Sequence, residues 1–286
     1  MSKRQKTTSS NTIPYILLST AKLLQKTSTS LTVLFAKKLF TTPIKHKIPK
    51  REYAMDQASK QEIILVPEIN KEIMVYHYGT SNKKVLLVHG WSGRGTQLVK
   101  IAEKLVNLGF STISFDAPAH GKSKGTTTLL PEFITSILEL EHKFGPFEFA
   151  IGHSLGSMYI LNAIKNGLEV KKAVIIGSGD SVNDIVNDFV SKLKLNPIIA
   201  TRIKDSYEKK NKQSMESFSS YIAAENITTP TLIIHDKNDD DVPYTASENI
   251  HQHLKNSTLL LTEGLGHRKI LGNENVINEI EKFLIN

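Results

Sequence analysis

Phe147-Glu-Phe-Ala-Ile151-Gly-His-Ser154-Leu-Gly156-Ser-Met-Tyr-Ile-Leu-Asn-Ala-Ile-Lys-Asn166 reads as a strand, an abrupt turn and a helix in direct succession. The strand is expected over 147–151, a short apolar run, and the helix over 157–166, closed by Gly167. A turn this sharp forces its central residue, Ser154, into a strained backbone, and the small elbow residues Gly152 and Gly156 avoid clashes on either side. The serine oxygen is thereby lifted clear of the strand, at the positive end of a helix. G-x-S-x-G occurs by chance in many chains. The strand–turn–helix context is what makes Ser154 the candidate nucleophile.

The same alternation extends both ways along the 286 residues. Glu62–Val66 and Glu72–Tyr78 read as an opening strand pair, and Lys84–Val88 as a continuous apolar run of the kind buried on both faces. Leu98–Leu108 has helical spacing, Ser111–Phe115 is a strand, and Pro131–Phe144 a helix stopped by Gly145-Pro146. Ala173–Ile176, Thr231–Ile234 and Thr258–Leu261 are further strands, with helices from about Tyr244 to Leu254 and at the end of the chain. Eight strands alternating with helices predict an α/β fold with a mostly parallel sheet covered on both faces. Such sheets place ligands at the carboxyl ends of their strands. One stretch breaks the rhythm: residues 181–226, whose Val182, Ile185, Val186, Phe189, Val190 and Leu193 have amphipathic helical spacing. It reads as a helical cap insertion, with a plain connecting helix pair as the alternative.

A serine nucleophile needs a base, and the base an orienting carboxylate. His267, in Gly264-Leu-Gly-His267 after the last strand, is the candidate base; as a loop histidine it would otherwise simply face solvent. The acid is sought after the preceding strand, where His235-Asp-Lys-Asn-Asp239-Asp-Asp-Val-Pro243 offers four aspartates. Asp239 lies 28 residues before His267, which suits one intervening helix and strand. Asp236, Asp240 and Asp241 read as a solvated turn, one of them suited to capping the next helix. An acyl-transfer oxyanion needs backbone N–H donors. Leu155, next to the nucleophile, is one candidate. Trp91, in His89-Gly90-Trp91-Ser-Gly-Arg-Gly95, is the other, with Gly90 letting the chain turn inward and His89 a structural hydrogen-bonding residue. No nucleotide-binding glycine pattern is present in that loop.

His89-Gly90-Trp91, Asp116-Ala-Pro-Ala-His120-Gly121-Lys-Ser123, Gly152-His-Ser-Leu-Gly156, the Asp239 turn and Gly266-His267 occur in order at suitable spacing. Together they resemble the α/β-hydrolase superfamily, in its branch of small bacterial esterase- and lysophospholipase-like hydrolases. The resemblance runs from about residue 37 to the end. It implies the α/β-hydrolase fold, a Ser154–Asp239–His267 triad and no metal or organic cofactor. It also favours Asp239, which fills the acidic place in an H-x-x-x-D-x-x-V-P turn, with Asp180, after the preceding strand, as the other acid some relatives use. Two departures stand out. Ser157 replaces a second glycine after the elbow, and Ala119 replaces the glycine of D-x-P-G-H-G. Neither removes a reacting group.

The implied activity is cleavage of a small-molecule carboxylic ester or thioester through an acyl-serine. An acyltransferase or a carbon–carbon bond hydrolase on the same triad, and a non-catalytic binding protein on the same fold, are the competing readings. Composition narrows the field. There is no cysteine, which excludes disulfides, thiolate metal sites and a cysteine nucleophile. The net charge of +8 is unevenly placed: residues 1–51 hold 11 of the 36 Lys/Arg and no acid, leaving 25 Lys/Arg against 28 Asp/Glu in 52–286. A nucleic-acid-binding body would show the opposite. Residues 1–51 thus form a basic, partly helical arm preceding the hydrolase domain 52–286. Its apolar and basic residues at near-helical spacing suit either a membrane-surface contact or a helix packed on protein. The basic start at Lys3, Arg4 and Lys6 is followed by a short, Ser/Thr-diluted apolar stretch, weak for a secretion signal, though the acid-free Ser/Thr richness also resembles a transit peptide. The expectation is a cytoplasmic protein, with peripheral membrane contact through the arm left open.

Overall fold

The structure is a computed structural model, and it describes residues 13–286; Lys3, Arg4 and Lys6 lie outside the described residues. Helices follow in chain order as α1 (Tyr15–Thr27), α2 (Thr29–Phe40), α3 (Tyr53–Ala58), α4 (Val99–Asn107), α5 (Leu130–Phe144), α6 (Leu155–Lys165), α7 (Val182–Lys192), α8 (Ile198–Asn211), α9 (Ser220–Ala224), α10 (Thr245–His253), α11 (Gly266–Lys269) and α12 (Glu274–Ile285). Strands are β1 (Lys60–Val66), β2 (Lys71–Tyr78), β3 (Lys84–Val88), β4 (Ser111–Asp116), β5 (Phe149–His153), β6 (Lys172–Ile176), β7 (Thr231–Asp236) and β8 (Ser257–Thr262).

The strands form one eight-stranded sheet, ordered β1-β2-β4-β3-β5-β6-β7-β8. The β1–β2 and β2–β4 pairs are antiparallel and all the others parallel. The continuous apolar strands are explained by burial on both faces: Val85 and Leu87 belong to one core layer, Leu86 and Val88 to the other. The first layer is closed by α4 and α12, which contribute Ile101, Leu105, Ile277 and Ile280. The second is closed by α5 and α6, with Phe133, Ile137, Tyr159 and Ile160.

One strand sits differently from its sequence reading. β5 runs over 149–153, not 147–151, and pairs Gly152 with Ile175 and His153 with Ile176. Phe147 is buried in the core but precedes the ladder. The strand therefore runs straight into Ser154, and α6 begins at the next residue.

The chain divides into two compact units, one made of the described residues up to Phe40 with Asn183–Gln213, the other of Thr41–Val182 with Ser214–Asn286. The insertion expected over 181–226 is thus shared between them. In the smaller unit, α1 packs on α2 and α2 on α8. Phe40 and Phe189 meet edge to face with ring centroids 5.1 Å apart, and Lys37 Nζ donates to Ser206 Oγ. No described helix is long and apolar enough to cross a membrane.

In the larger unit, a buried ion pair fixes the loop after β3. Glu52, fully buried, accepts from Arg94 Nη1 (2.9 Å) and from the Thr96 hydroxyl (2.7 Å). Removing one partner would strand a charge in the core, whereas removing both would not. Arg94→Met is expected to cost about 3–5 kcal/mol in urea unfolding, and the double variant Glu52→Leu/Arg94→Met distinctly less. A single-variant cost under about 1 kcal/mol would mean the pair behaves as a surface pair.

Candidate active site

The elbow is built from backbone contacts. Ser154 sits at φ 56°, ψ −126°, a conformation rarely tolerated by residues other than glycine, immediately before the first residue of α6. It is held there because its N–H donates to Ile176 C=O (2.8 Å). A side chain at Gly156 would overlap the carbonyl oxygen of Val88, so the helix can approach β3 only with glycine there. Ser157, in the place of a second glycine, has its hydroxyl donating to Gly152 C=O (2.9 Å) and accepting from Ile176 N–H (3.1 Å). The replacement thus ties β5, α6 and β6 together. Ser154 itself remains partly exposed.

The structure brings His267 and Asp239 together. Their Nδ1 and Oδ2 atoms lie 2.7 Å apart, with the carboxylate side chain almost wholly buried and the imidazole one-tenth exposed. His267 is the second residue of α11, after β8, and its ring packs against that of His153, with centroids 4.6 Å apart. Asp239 Oδ1 accepts the N–H groups of Asp241 (2.8 Å) and Val242 (2.9 Å). Burial pushes the Asp239 carboxyl up, but hydrogen bonds from His235, His267 and Val242 outweigh it and hold the group well below the usual carboxylate range. Asp180, the other acid considered, is engaged elsewhere: its Oδ2 accepts from the Asn249 side-chain amide (2.7 Å).

The loop after β3 passes directly over the elbow. A side chain at Gly90 would come within 2.8 Å of Ser154 Cβ, which places the backbone of Gly90, and with it the start of Trp91, beside Ser154. The N–H of Leu155, at the first turn of α6, has no intrahelical acceptor. His89 is a clasp and not a base. Ala117 N–H donates to its Nε2 (3.1 Å), so its Nδ1–H donates to Gly90 C=O (2.7 Å); burial, then the neighbouring His120, keeps it neutral. His120 does the same two residues further on: Ser92 N–H donates to its Nε2 (3.0 Å), and burial lowers its pKa to about 4. Asp116 gathers the N–H groups of Gly95 (2.7 Å) and Lys122 (2.6 Å) and the Tyr76 hydroxyl (2.9 Å). Among the described residues, no group of three or more His, Cys, Asp or Glu is arranged to hold a metal ion.

Two residues near the pair were not assigned a role from sequence, and a third was read differently. His235, fully buried, has its Nε2 3.1 Å from Val242 C=O and 3.3 Å from Asp239 Oδ2, between which its proton is shared, and its Nδ1 2.6 Å from Ser247 Oγ. His153 donates through Nε2 to the backbone C=O of His267 (2.8 Å), and burial, then the charge of His267, lowers its pKa to about 3. Asp236 corrects the reading of a solvated turn. It is 1% exposed and accepts from the Thr262 hydroxyl (2.7 Å) and the N–H groups of Gly266 (2.9 Å), Leu265 (3.0 Å) and Asn238 (3.0 Å), clamping the loop that carries His267. None of the aspartates caps α10, which has no side-chain cap. The run H-D-x-x-D was visible, but only the fold shows which acids turn inward.

Two outcomes follow. Ala119 sits at φ 66°, where the resembling motif has glycine. Ala119→Gly is expected to stabilise the protein by about 0.5–1 kcal/mol, the relieved strain exceeding the entropy of the added glycine; a loss in thermal or urea stability would contradict this. Burial pushes the Asp236 carboxyl up, but the N–H of Gly266, the Thr262 hydroxyl and the N–H of Leu265 and Asn238 together hold it below its ordinary value. A carboxyl lowered on folding contributes stability that is complete above its unfolded value, about 4, and lost as pH falls through its folded value. The stability deficit of Asp236→Asn relative to wild type should therefore shrink below about pH 4. A deficit constant from neutral to acid would exclude that linkage.

No curated protein matches the chain significantly in sequence. Among solved structures, it is similar to a bromoperoxidase from Bacillus anthracis (TM-score 0.61, 20% identity, covering 79% of this chain and 100% of that one). It is similar also to an esterase from Exiguobacterium antarcticum (0.62, 18%, 79% and 100%) and an esterase from Pyrococcus furiosus (0.64, 18%, 85% and 95%). At such identities the likeness is one of fold. The pattern of the alpha/beta hydrolase family matches residues 85–274, from β3 to the start of α12 and across Ser154, Asp239 and His267, so the chain belongs to the alpha/beta hydrolase family.

Proposed function

We propose that the protein is a serine hydrolase that cleaves a carboxylic ester or thioester through an acyl-serine intermediate. The observation that carries this reading is the 2.7 Å His267–Asp239 hydrogen bond, made on strand-end loops, with His267 C=O held by His153, the residue just before the strained Ser154. With Asp239 bonded at Nδ1, the imidazole keeps its proton there and presents the Nε2 lone pair as a base. Ser154 Oγ attacks the acyl carbon while His267 takes its proton at Nε2. Asp239, kept ionised by His235 as well, stabilises the imidazolium. The oxyanion is received by the N–H groups of Leu155 and Trp91. Collapse of the tetrahedral adduct breaks the bond to the leaving alkoxide or thiolate, which takes the proton from His267. Water then gives its proton to the same nitrogen, attacks the acyl-serine, and releases the carboxylic acid as Ser154 is reprotonated.

The half-buried Trp91 and Leu155, next in the chain to Gly90 and Ser154, support an apolar acyl group as the part recognised. Two of the structural neighbours are esterases, which is consistent with that class. The test is turnover of p-nitrophenyl esters of increasing chain length together with fluorophosphonate labelling. Wild type should do both, Ser154→Ala neither, and Asp239→Asn should lose roughly 10³–10⁴ in kcat through the wrong histidine tautomer. A folded wild type that neither turns over nor labels would reassign the protein as a binding module, and turnover only with an added alcohol acceptor would make it an acyltransferase.

A further inference from the structure

The outer faces of α1 and α2 carry an unusual combination of side chains. Tyr15, Ile16 and Leu23 on α1, with Leu31 and Leu34 on α2, are between 52% and 84% exposed. At 100° per residue, the exposed Tyr15, Ile16, Ser19, Lys22, Leu23 and Lys26 fall within one arc of about 120°, opposite the buried Ala21. On α2 the exposed Leu31, Leu34 and Lys38 stand opposite the buried Thr32 and Ala36. The inner faces supply the packing of the smaller unit: α1 on α2, α2 on α8, and Phe40 against Phe189. The outer apolar residues are therefore surplus to its core. They alternate with lysines in a stretch that holds 11 Lys/Arg and no acid through Arg51.

We propose that this face docks on an anionic lipid bilayer, with α1 and α2 lying in the interface. At 13 and 12 residues neither helix could span a bilayer, and an amphipathic helix of this kind lies flat. The apolar side chains enter the boundary of the acyl chains, Tyr15 sits at headgroup depth, and Lys22 and Lys26 meet lipid phosphates. Charge decides against the other occupants. A second copy would bring two cationic, acid-free faces together. A nucleic acid would leave five exposed apolar side chains unused, on a protein whose remaining 235 residues carry more acid than base. Only an anionic lipid surface uses both halves of the pattern.

The experiment is co-sedimentation of the full chain with phosphatidylcholine vesicles, alone or mixed with phosphatidylglycerol, across a range of salt. Binding to the mixed vesicles, weakened by salt and far weaker on the neutral ones, is the expected result. Leu23→Asp/Leu34→Asp should lower partitioning at least tenfold. Lys22→Glu/Lys26→Glu should lower it by more than roughly twentyfold, since each lysine near an anionic surface contributes about fivefold. Both variants should keep the wild-type melting temperature and ester turnover. Ser154→Ala should bind vesicles as wild type does, so the result stands whether or not the hydrolase reading does. The proposal is overturned if the chain stays in solution with anionic vesicles, or if binding is the same on neutral ones and indifferent to the substitutions. A concentration-dependent dimer abolished by Leu23→Asp/Leu34→Asp, or DNA binding abolished by Lys22→Glu/Lys26→Glu, in place of vesicle binding, would equally overturn it.

Discussion

Everything at the site depends on how closely α6 can approach β3 at the end of β5. The contact of Gly156 with the Val88 carbonyl leaves no room for a side chain, and it is this proximity that lets the chain reverse within a single residue. Ser154 absorbs the reversal at φ 56°, a cost of order 1–3 kcal/mol that the surrounding contacts must offset. The offset comes from identifiable bonds, the Ser154 N–H to Ile176 and the two bonds of the Ser157 hydroxyl. A strained residue at the mouth of a helix is thus held by β5, β6 and the helix between them.

Around that elbow the remaining parts are fixed by buried polar groups that each saturate a loop. Glu52 holds Arg94 and Thr96, His89 and His120 close the turn through Trp91, Asp116 gathers the next loop, and Asp236 clamps the segment before His267. Each loop would be mobile on its own. Tied in this way, they present their backbones at fixed places, which electrostatic stabilisation of a developing charge requires. The departures from the resembling motifs fit the same logic. Ser157 gains bonds that a glycine could not make, whereas Ala119 accepts a left-handed backbone without visible compensation.

The sheet was legible in the sequence because its signals are local: apolar runs, helical spacing and glycine stops. The elbow and the 28-residue interval from Asp239 to His267 were legible for the same reason. What could not be read depends on contacts between distant segments. Sequence alone does not reveal that Asp236 turns inward while Asp240 stays exposed, because that choice is made by Thr262 and the backbone of Leu265 and Gly266. The roles of His235 and His153 likewise arise only when β5, β7 and the last loop are assembled. The extent of β5 was misjudged by two residues because buried Phe147 looks like a strand residue but precedes the ladder. The pairing of the arm with Asn183–Gln213 joins segments more than 140 residues apart, and no periodicity encodes it.

The central claim is that Ser154 becomes acylated during turnover. The most direct measurement is acid-quenched mass spectrometry of the wild-type protein during its first turnover of an activated ester, followed by peptide mapping. The account predicts one acyl group per chain, on the peptide containing Ser154, appearing before the steady state and decaying as the ester is exhausted. Steady turnover with no acylated chain at any time, or with the acyl group on a different residue, would contradict it.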